Sequence, residues 1–335
     1  MGNKATQQPR SFNTIRRSQT KARAKRRTIQ RVVLLAIFAT VALILLSLLV
    51  LGGFMIANAI TDARPTPDSG DNTTPPTPIT ELVFIQTTKA SDAIHAGELI
   101  LVNSENEYKF PIGVSLPLIS EKMIKKTDGS RIYSPVHGVE KLEEETLAAL
   151  NAMMYRYYEL DEDAYFTISS AYRTKADQEA LNSSVLPGYS DHHTGYCVAI
   201  KYQDSNHFLE TDHWFYQNCY KYGFVVRYPE EKASITGVSG YKHCFRYVGV
   251  AHATYMTQNN LCMEEYVELL QNNYNSSAKR LTINAADGFT YEVYYVAASG
   301  QDVTTLDVPS NYSYTVSGDN RSGFIVTVKL IPPAA

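Results

Sequence analysis

The apolar pattern first divides the chain near its start. Residues 32–60 are apolar without one charged side chain, longer than the ~20 residues that cross a bilayer core. A cleavable signal is the alternative, with Ala57-Asn58-Ala59 as a passable cleavage site. Signal h-regions run only ~7 to 15 residues, so one retained transmembrane helix over 32–60 is expected. Residues 61–80, rich in Pro and Thr, have little to bury and predict an extended linker. Leu82-Val83-Phe84-Ile85 and Leu99-Ile100-Leu101-Val102 suit two strands, with His95-Ala96-Gly97 as the turn.

Over 139–160, Leu142, Leu147, Leu150, Met154 and Tyr157 recur at helical steps, and Glu143, Glu144 and Glu145 suit the helix's positive end. Tyr165-Phe166-Thr167-Ile168 reads as a strand, followed after Thr174 by a helix carrying Gln178. From Ser190 the chain is polar, turns at Gly195 and then becomes apolar through Cys197-Val198-Ala199-Ile200. That pattern predicts a loop feeding a buried strand, with His192 at its mouth. An aromatic-rich helix starts at Trp214 and ends near Gly223, and another spans 250–274 with His252, Met256, Cys262 and Tyr266 inward. His252 reads as a packing histidine. Three alternating stretches, 290–296, 312–316 and 324–328, predict a β-rich appendage over 275–335.

Composition is that of a globular protein, 44% hydrophobic and 19% charged. The net charge of -3 conceals an asymmetry. Residues 1–31 hold ten Lys or Arg and no acid; subtracting those ten from 31 leaves 21 basic residues against all 34 acidic ones. A basic head before an apolar span places the N-terminus in the cytoplasm and the rest outside, and the acidic remainder excludes nucleic acid as a partner. Cys197, Cys219, Cys244 and Cys262 all lie in that outer part, where they permit up to two disulfides in three connectivities.

Several motifs carry a resemblance. Ser170-Ala171-Tyr172-Arg173-Thr174, Ser190-Asp191-His192-His193-Thr194-Gly195, the segment 214–228 ending in Arg227-Tyr228, and Ile235-Thr236-Gly237 followed by Phe245-Arg246-Tyr247-Val248-Gly249 stand in order and spacing. Over about 95–270 the chain resembles the VanY-type zinc D-alanyl-D-alanine carboxypeptidases of bacterial cell walls. The resemblance implies an α+β fold, a small, mostly antiparallel sheet with packed helices, in a domain over 81–274. It implies a substrate-binding role for Arg173, whose guanidinium suits a peptide's terminal carboxylate, and for Gln178 and Ser190.

In that family a His and an Asp from the loop-strand and a later His hold zinc, and a Glu serves as base. His192 matches the first ligand. Ala199 stands at the aspartate position, Cys244 at the second histidine and Tyr241 at the base. A methyl group cannot coordinate metal, and phenols, with a reference pKa of ~10, are poor bases at neutral pH. No catalytic residue and no cofactor are therefore expected; zinc would enter only a rebuilt site drawing on His193, His243 or Cys244. Cys197 lies two residues from Ala199 and shares its face. A Cys197–Cys244 disulfide is thus expected in the metal's place, with Cys219 paired to Cys262. The charge-free run behind the basic head, with the resemblance and its missing ligands, leads us to expect a single-pass protein of the bacterial cell membrane with its main domain extracellular, binding peptidoglycan stem peptides without cutting them. Two alternatives stay open: an active D,D-carboxypeptidase with altered zinc ligation, and a non-catalytic module that partners cell-wall assembly proteins.

Overall fold

The computed structural model describes residues 81–113, 115–202, 213–241 and 243–330. The expected basic tail, transmembrane helix and linker, residues 1–80, lie outside them; among the described residues no helix is long and apolar enough to cross a membrane. All described residues fall within one compact unit, Pro78–Ala335.

Strand β1, Phe84–Ala90, opens this unit, and β2, Tyr133–Pro135, follows a long stretch whose helical pieces are the short turns Ser91–His95 and Ile119–Lys122. Helix α1, Glu144–Leu160, then buries Leu147, Leu150, Met153 and Met154. The expected start at 139 moves to 144 because the preceding residues are tied down elsewhere. The Glu140 carboxylate accepts from the His137 amide at 2.9 Å, and the Glu143 amide donates to the Gly195 carbonyl at 3.0 Å. Strand β3, Phe166–Ser170, leads to α2, Lys175–Ala180, whose Thr174 cap and Asp177 form a reciprocal capping box. Strands β4, Cys197–Tyr202, β5, Phe224–Val226, and β6, Cys244–Tyr247, complete a five-stranded sheet in the order β2-β3-β4-β6-β5. Only the β2–β3 pair is parallel. Phe166, Ile168, Val198, Ile200 and Phe245 from this sheet pack on α1, each fully buried side chain contributing about 1.5–3 kcal/mol.

The helix expected over 250–274 is two helices, α3, Val250–Gln258, and α4, Met263–Asn273. Asn260 takes a left-handed φ of 51° between them, and the Glu265 carboxylate accepts from the Cys262 amide at 3.0 Å to start the second helix. His252 on α3 is a packing residue: its ring nitrogens meet Tyr266 Oη at 2.7 Å and Thr327 Oγ1 at 2.9 Å. Burial pushes its pKa down to about 3.

Strands β7, Leu281–Asn284, β8, Thr290–Ala297, β10, Ser313–Gly318, and β11, Gly323–Leu330, form a second sheet in the order β10-β11-β8-β7. The remaining strand, β9, Val303–Pro309, pairs antiparallel with β1 along its whole length. The core runs straight through residue 274: Leu99 and Leu101 share one buried cluster with Met256, Tyr266, Leu281, Val293 and Ile325.

The second strand expected near the start is absent. Residues 99–102 are fully buried yet belong to no strand. Buried backbone carbonyls require donors, and here two guanidinium groups supply them. Arg246 donates to the Glu98 and Ile100 carbonyls at 2.9 and 3.1 Å, and Arg227 to the Val102 carbonyl at 3.3 Å. Both also bind the Asp191 carboxylate, Arg227 through Nε at 2.9 Å and Arg246 through Nη1, with all three side chains wholly inaccessible. Arg227 further grips Glu264 of α4 at 2.8 and 3.1 Å.

Replacing Asp191 with Ala should lower unfolding free energy by about 3–5 kcal/mol, because two guanidinium groups then lose their shared counter-ion in the interior. Denaturation followed through Trp214, the single tryptophan, measures this; a loss below about 1 kcal/mol would contradict it. Burial works against charge on Glu264, yet Arg227 holds its carboxyl below the ordinary range. A depressed folded pKa adds stability above the unfolded value and loses it as pH falls through the folded one. The stability gap between wild type and Glu264→Gln should therefore be full above pH ~4.5 and shrink below it. A gap that widens on acidification would contradict the pairing.

Candidate functional site

The site is built on one tight helical turn, Asp191–Thr194, closed by Gly195 at φ 77°. A Cβ there would stand 3.0 Å from Leu116 Cδ1 and 3.2 Å from Glu143 Cγ, so both the backbone and the crowding call for glycine. His192 and His193 lie on this turn and not on an extended strand. They diverge all the same. His193 Nδ1 bonds the Arg173 carbonyl at 2.7 Å and its Nε2 accepts from the Gly188 amide at 3.0 Å, which leaves neither nitrogen for a metal.

His192 is different. Its Nδ1 bonds the Ala171 carbonyl at 2.9 Å, which makes that nitrogen the protonated one and leaves Nε2 with a bare lone pair. Nε2 lies 4.0 Å from Cys197 Sγ and 3.8 Å from Cys244 Sγ. Burial, helped by the Arg173 charge, pushes the His192 pKa well below the ordinary histidine range, so the ring is neutral.

Cys197 and Cys244 are joined by a disulfide with Cα atoms 6.7 Å apart. The pairing of β4 with β6 sets Cys197 opposite Arg246 and Ala199 opposite Cys244, so the two cysteines are diagonal neighbours on one face. Ala199 is completely buried beside them. Cys219 and Cys262, expected to pair, are instead both free and buried. Cys219 packs with Phe215 and Phe224 in the core under α1, whereas Cys262 caps α4, where its side chain faces the start of that helix.

Beside the histidine turn lies a cleft of about 570 Å³ lined by Glu140, Tyr172, Arg173, Asp177, Tyr241 and His243. The Arg173 amide donates to the His192 carbonyl at 3.1 Å, fixing the arginine's backbone to the turn. Its Nε is buried with no hydrogen-bond partner, and burial pulls the guanidinium's pKa down against the opposing pull of Tyr241. Tyr241 sits with its ring 6.4 Å from that of His192 and 4.4 Å from that of His243. Burial lowers the His243 pKa to about 4, with Lys201 adding to the effect. Gln178 and Ser190 do not line this cleft. Gln178 is buried with its amide nitrogen given to Ser183 Oγ and the Val185 carbonyl, at 2.9 and 2.8 Å. Ser190 is buried at the head of the turn, its carbonyl accepting from the His193 amide at 3.0 Å.

The sequence reading passed over Asp191, Arg227, Arg246 and Glu264. A signal was present: Arg227 stands between Val226 and Tyr228, and Arg246 between Phe245 and Tyr247. A cation inside a short apolar run has to find an anion in the core.

Comparison with known proteins agrees with the motif order. The family model of VanY, D-alanyl-D-alanine carboxypeptidase, matches residues 139–250. A D-alanyl-D-alanine carboxypeptidase of Enterococcus faecium is 29% identical over 259 residues, which is 72% of this chain and 78% of that protein. A second, from Enterococcus faecalis, is 40% identical over 95 residues, 28% of this chain and 35% of the relative. Among solved structures, the vancomycin-resistance D,D-dipeptidase VanXYg in complex with a D-Ala-D-Ala phosphinate analogue matches 74% of this chain and 100% of its own, with a TM-score of 0.62. At 23% identity that likeness speaks for the fold alone.

Alkylation of the denatured chain should modify two thiols without reductant and four after reduction, as counted by mass spectrometry. Four thiols before reduction, or none, would overturn the cysteine assignment.

Proposed function

We propose that this chain, whose residues 139–250 belong to the VanY D-alanyl-D-alanine carboxypeptidase family, is a membrane-anchored extracellular protein that binds peptidoglycan stem peptides and does not cut them. The observation carrying this reading is the buried, unpartnered Arg173 Nε at the cleft wall. An orphaned buried donor is unfavourable by about 1–3 kcal/mol, and a carboxylate entering the cleft would satisfy it. The relatives from both enterococci carry the name D-alanyl-D-alanine carboxypeptidase, and a carboxypeptidase acts at a peptide's free C-terminus.

The absence of cutting rests on the donor set. With their sulfurs bonded to each other, Cys197 and Cys244 offer no thiolate, and Ala199 offers nothing, so His192 is left as a single ligand where zinc catalysis uses three. Zinc does not fit the oxidised site. Tyr241, at the base position, brings a phenol in place of a carboxylate. The anchor and the outward placement of the domain rest on the charge-free run over 32–60 behind ten basic residues.

Full-length protein, kept oxidised, is titrated calorimetrically with a peptide ending in D-Ala-D-Ala while free D-alanine is assayed. Binding without D-alanine release is expected. Arg173→Ala should weaken binding about 10- to 100-fold, and amidating the peptide C-terminus should do the same to wild type. Release of D-alanine by the oxidised protein would defeat the reading, as would equal affinity in Arg173→Ala.

A further inference from the structure

The disulfide and His192 form a second chemical object in the same spot. His192 Nε2 and the two sulfurs lie within 4.8 Å of one another, all in buried residues. We propose that reducing Cys197–Cys244 turns this spot into a zinc site of one histidine and two thiolates, so that the protein exchanges a covalent cross-link for a metal one according to redox state. Peptide binding by Arg173 is not required for it.

Zn–S bonds of ~2.3 Å and Zn–N bonds of ~2.0–2.1 Å in a tetrahedron set donor separations of about 3.8 Å between sulfurs and about 3.6 Å from sulfur to nitrogen. The sulfur-to-nitrogen separations already stand at 3.8 and 4.0 Å. Only the sulfurs need to part, and as diagonal neighbours on paired strands they can do so by side-chain rotation. The histidine is prepared as ligating histidines are: the Ala171 carbonyl holds the Nδ1 proton, which aims the Nε2 lone pair at the sulfurs. Charge favours the same set. Two thiolates cancel the two charges of Zn2+, so a neutral complex forms where an unbalanced ion would be costly to bury. Tyr228 and Tyr241 pack against the disulfide.

The reductant is a dithiol. Its two sulfurs close into their own disulfide while Cys197 and Cys244 each take a hydrogen. On binding Zn2+ the two thiol protons pass to solvent and both sulfurs coordinate as thiolates. The set lacks the family's aspartate, and no carboxylate replaces the base at Tyr241, so the site is metal-binding without an assigned hydrolytic step.

The test uses the full-length chain, oxidised or reduced with dithiothreitol that is then removed anaerobically, with the thiols counted. Each form is titrated with Co2+, whose thiolate charge-transfer absorption reports sulfur ligation, and zinc content is measured in parallel. The reduced chain should bind one ion with that absorption, and the oxidised chain none. Cys197→Ser and Cys244→Ser should each abolish the absorption and weaken affinity by more than about 100-fold, whereas a Cys219→Ser, Cys262→Ser double variant should keep both. A native disulfide that resists the dithiol, a reduced chain without the absorption, or an absorption that follows Cys219 and Cys262 instead would overturn the proposal.

Discussion

Asp191 places one carboxylate between two guanidinium groups in a region closed to solvent. Burying an ion is unfavourable by several kcal/mol even after relaxation, and that penalty is offset only where geometry is good and the remaining donors are used. Both conditions hold. Glu264 brings a second carboxylate to Arg227, so two cations face two anions and the cluster carries no net charge. The spare N–H groups of both arginines run to the Glu98, Ile100, Val102 and Tyr247 carbonyls. A buried segment can therefore stay irregular. The network joins the histidine turn, β5, β6, α4 and the lead-in segment, all of which the site leans on.

The disulfide acts on the same frame from the opposite direction. Where the resemblance implies a metal bridging the loop-strand to the later segment, this chain has a covalent bond between β4 and β6 across the same face. The disulfide restricts the unfolded ensemble, whereas a metal stabilises by binding the folded chain. They differ in what they leave to chemistry. A metal with an open position activates water, whereas a disulfide has no vacancy and only crosslinks. Ala199 fits this change, because a small side chain opposite Cys244 leaves room for the bond.

Much of the frame was legible because period and punctuation are local. The spacing of Leu147, Leu150 and Met154 marked α1, and Gly223 closes its turn at φ 82° where the sequence put a cap. The diagonal of Cys197 with Cys244 followed from strand parity once the motif frame was set. What escaped depends on tertiary partners. Leu99-Ile100-Leu101-Val102 has the composition of a strand, and only the guanidinium donors far along the chain explain why it is none. Asn259-Asn260 hid a helix break because Asn tolerates both continuation and left-handed turns. Gln178 kept its motif position while its side chain went to the 183–185 loop.

Gripping a peptide's end and cutting it place separate demands on this architecture. Arg173 is positioned by main-chain bonds: its amide to the His192 carbonyl, its carbonyl to His193 Nδ1, and the Tyr172 amide to the Lys141 carbonyl at 2.9 Å. None of these passes through the sulfurs or Tyr241. These bonds fix the arginine's backbone, so the carboxylate recognition proposed above does not draw on the disulfide. The orientation of His192 is equally independent, since the Ala171 carbonyl sets its tautomer whether or not anything coordinates Nε2. The turn, the cleft wall and the imidazole thus share one set of main-chain bonds, and the redox exchange proposed above would act on the two sulfur atoms beside His192 without touching those bonds.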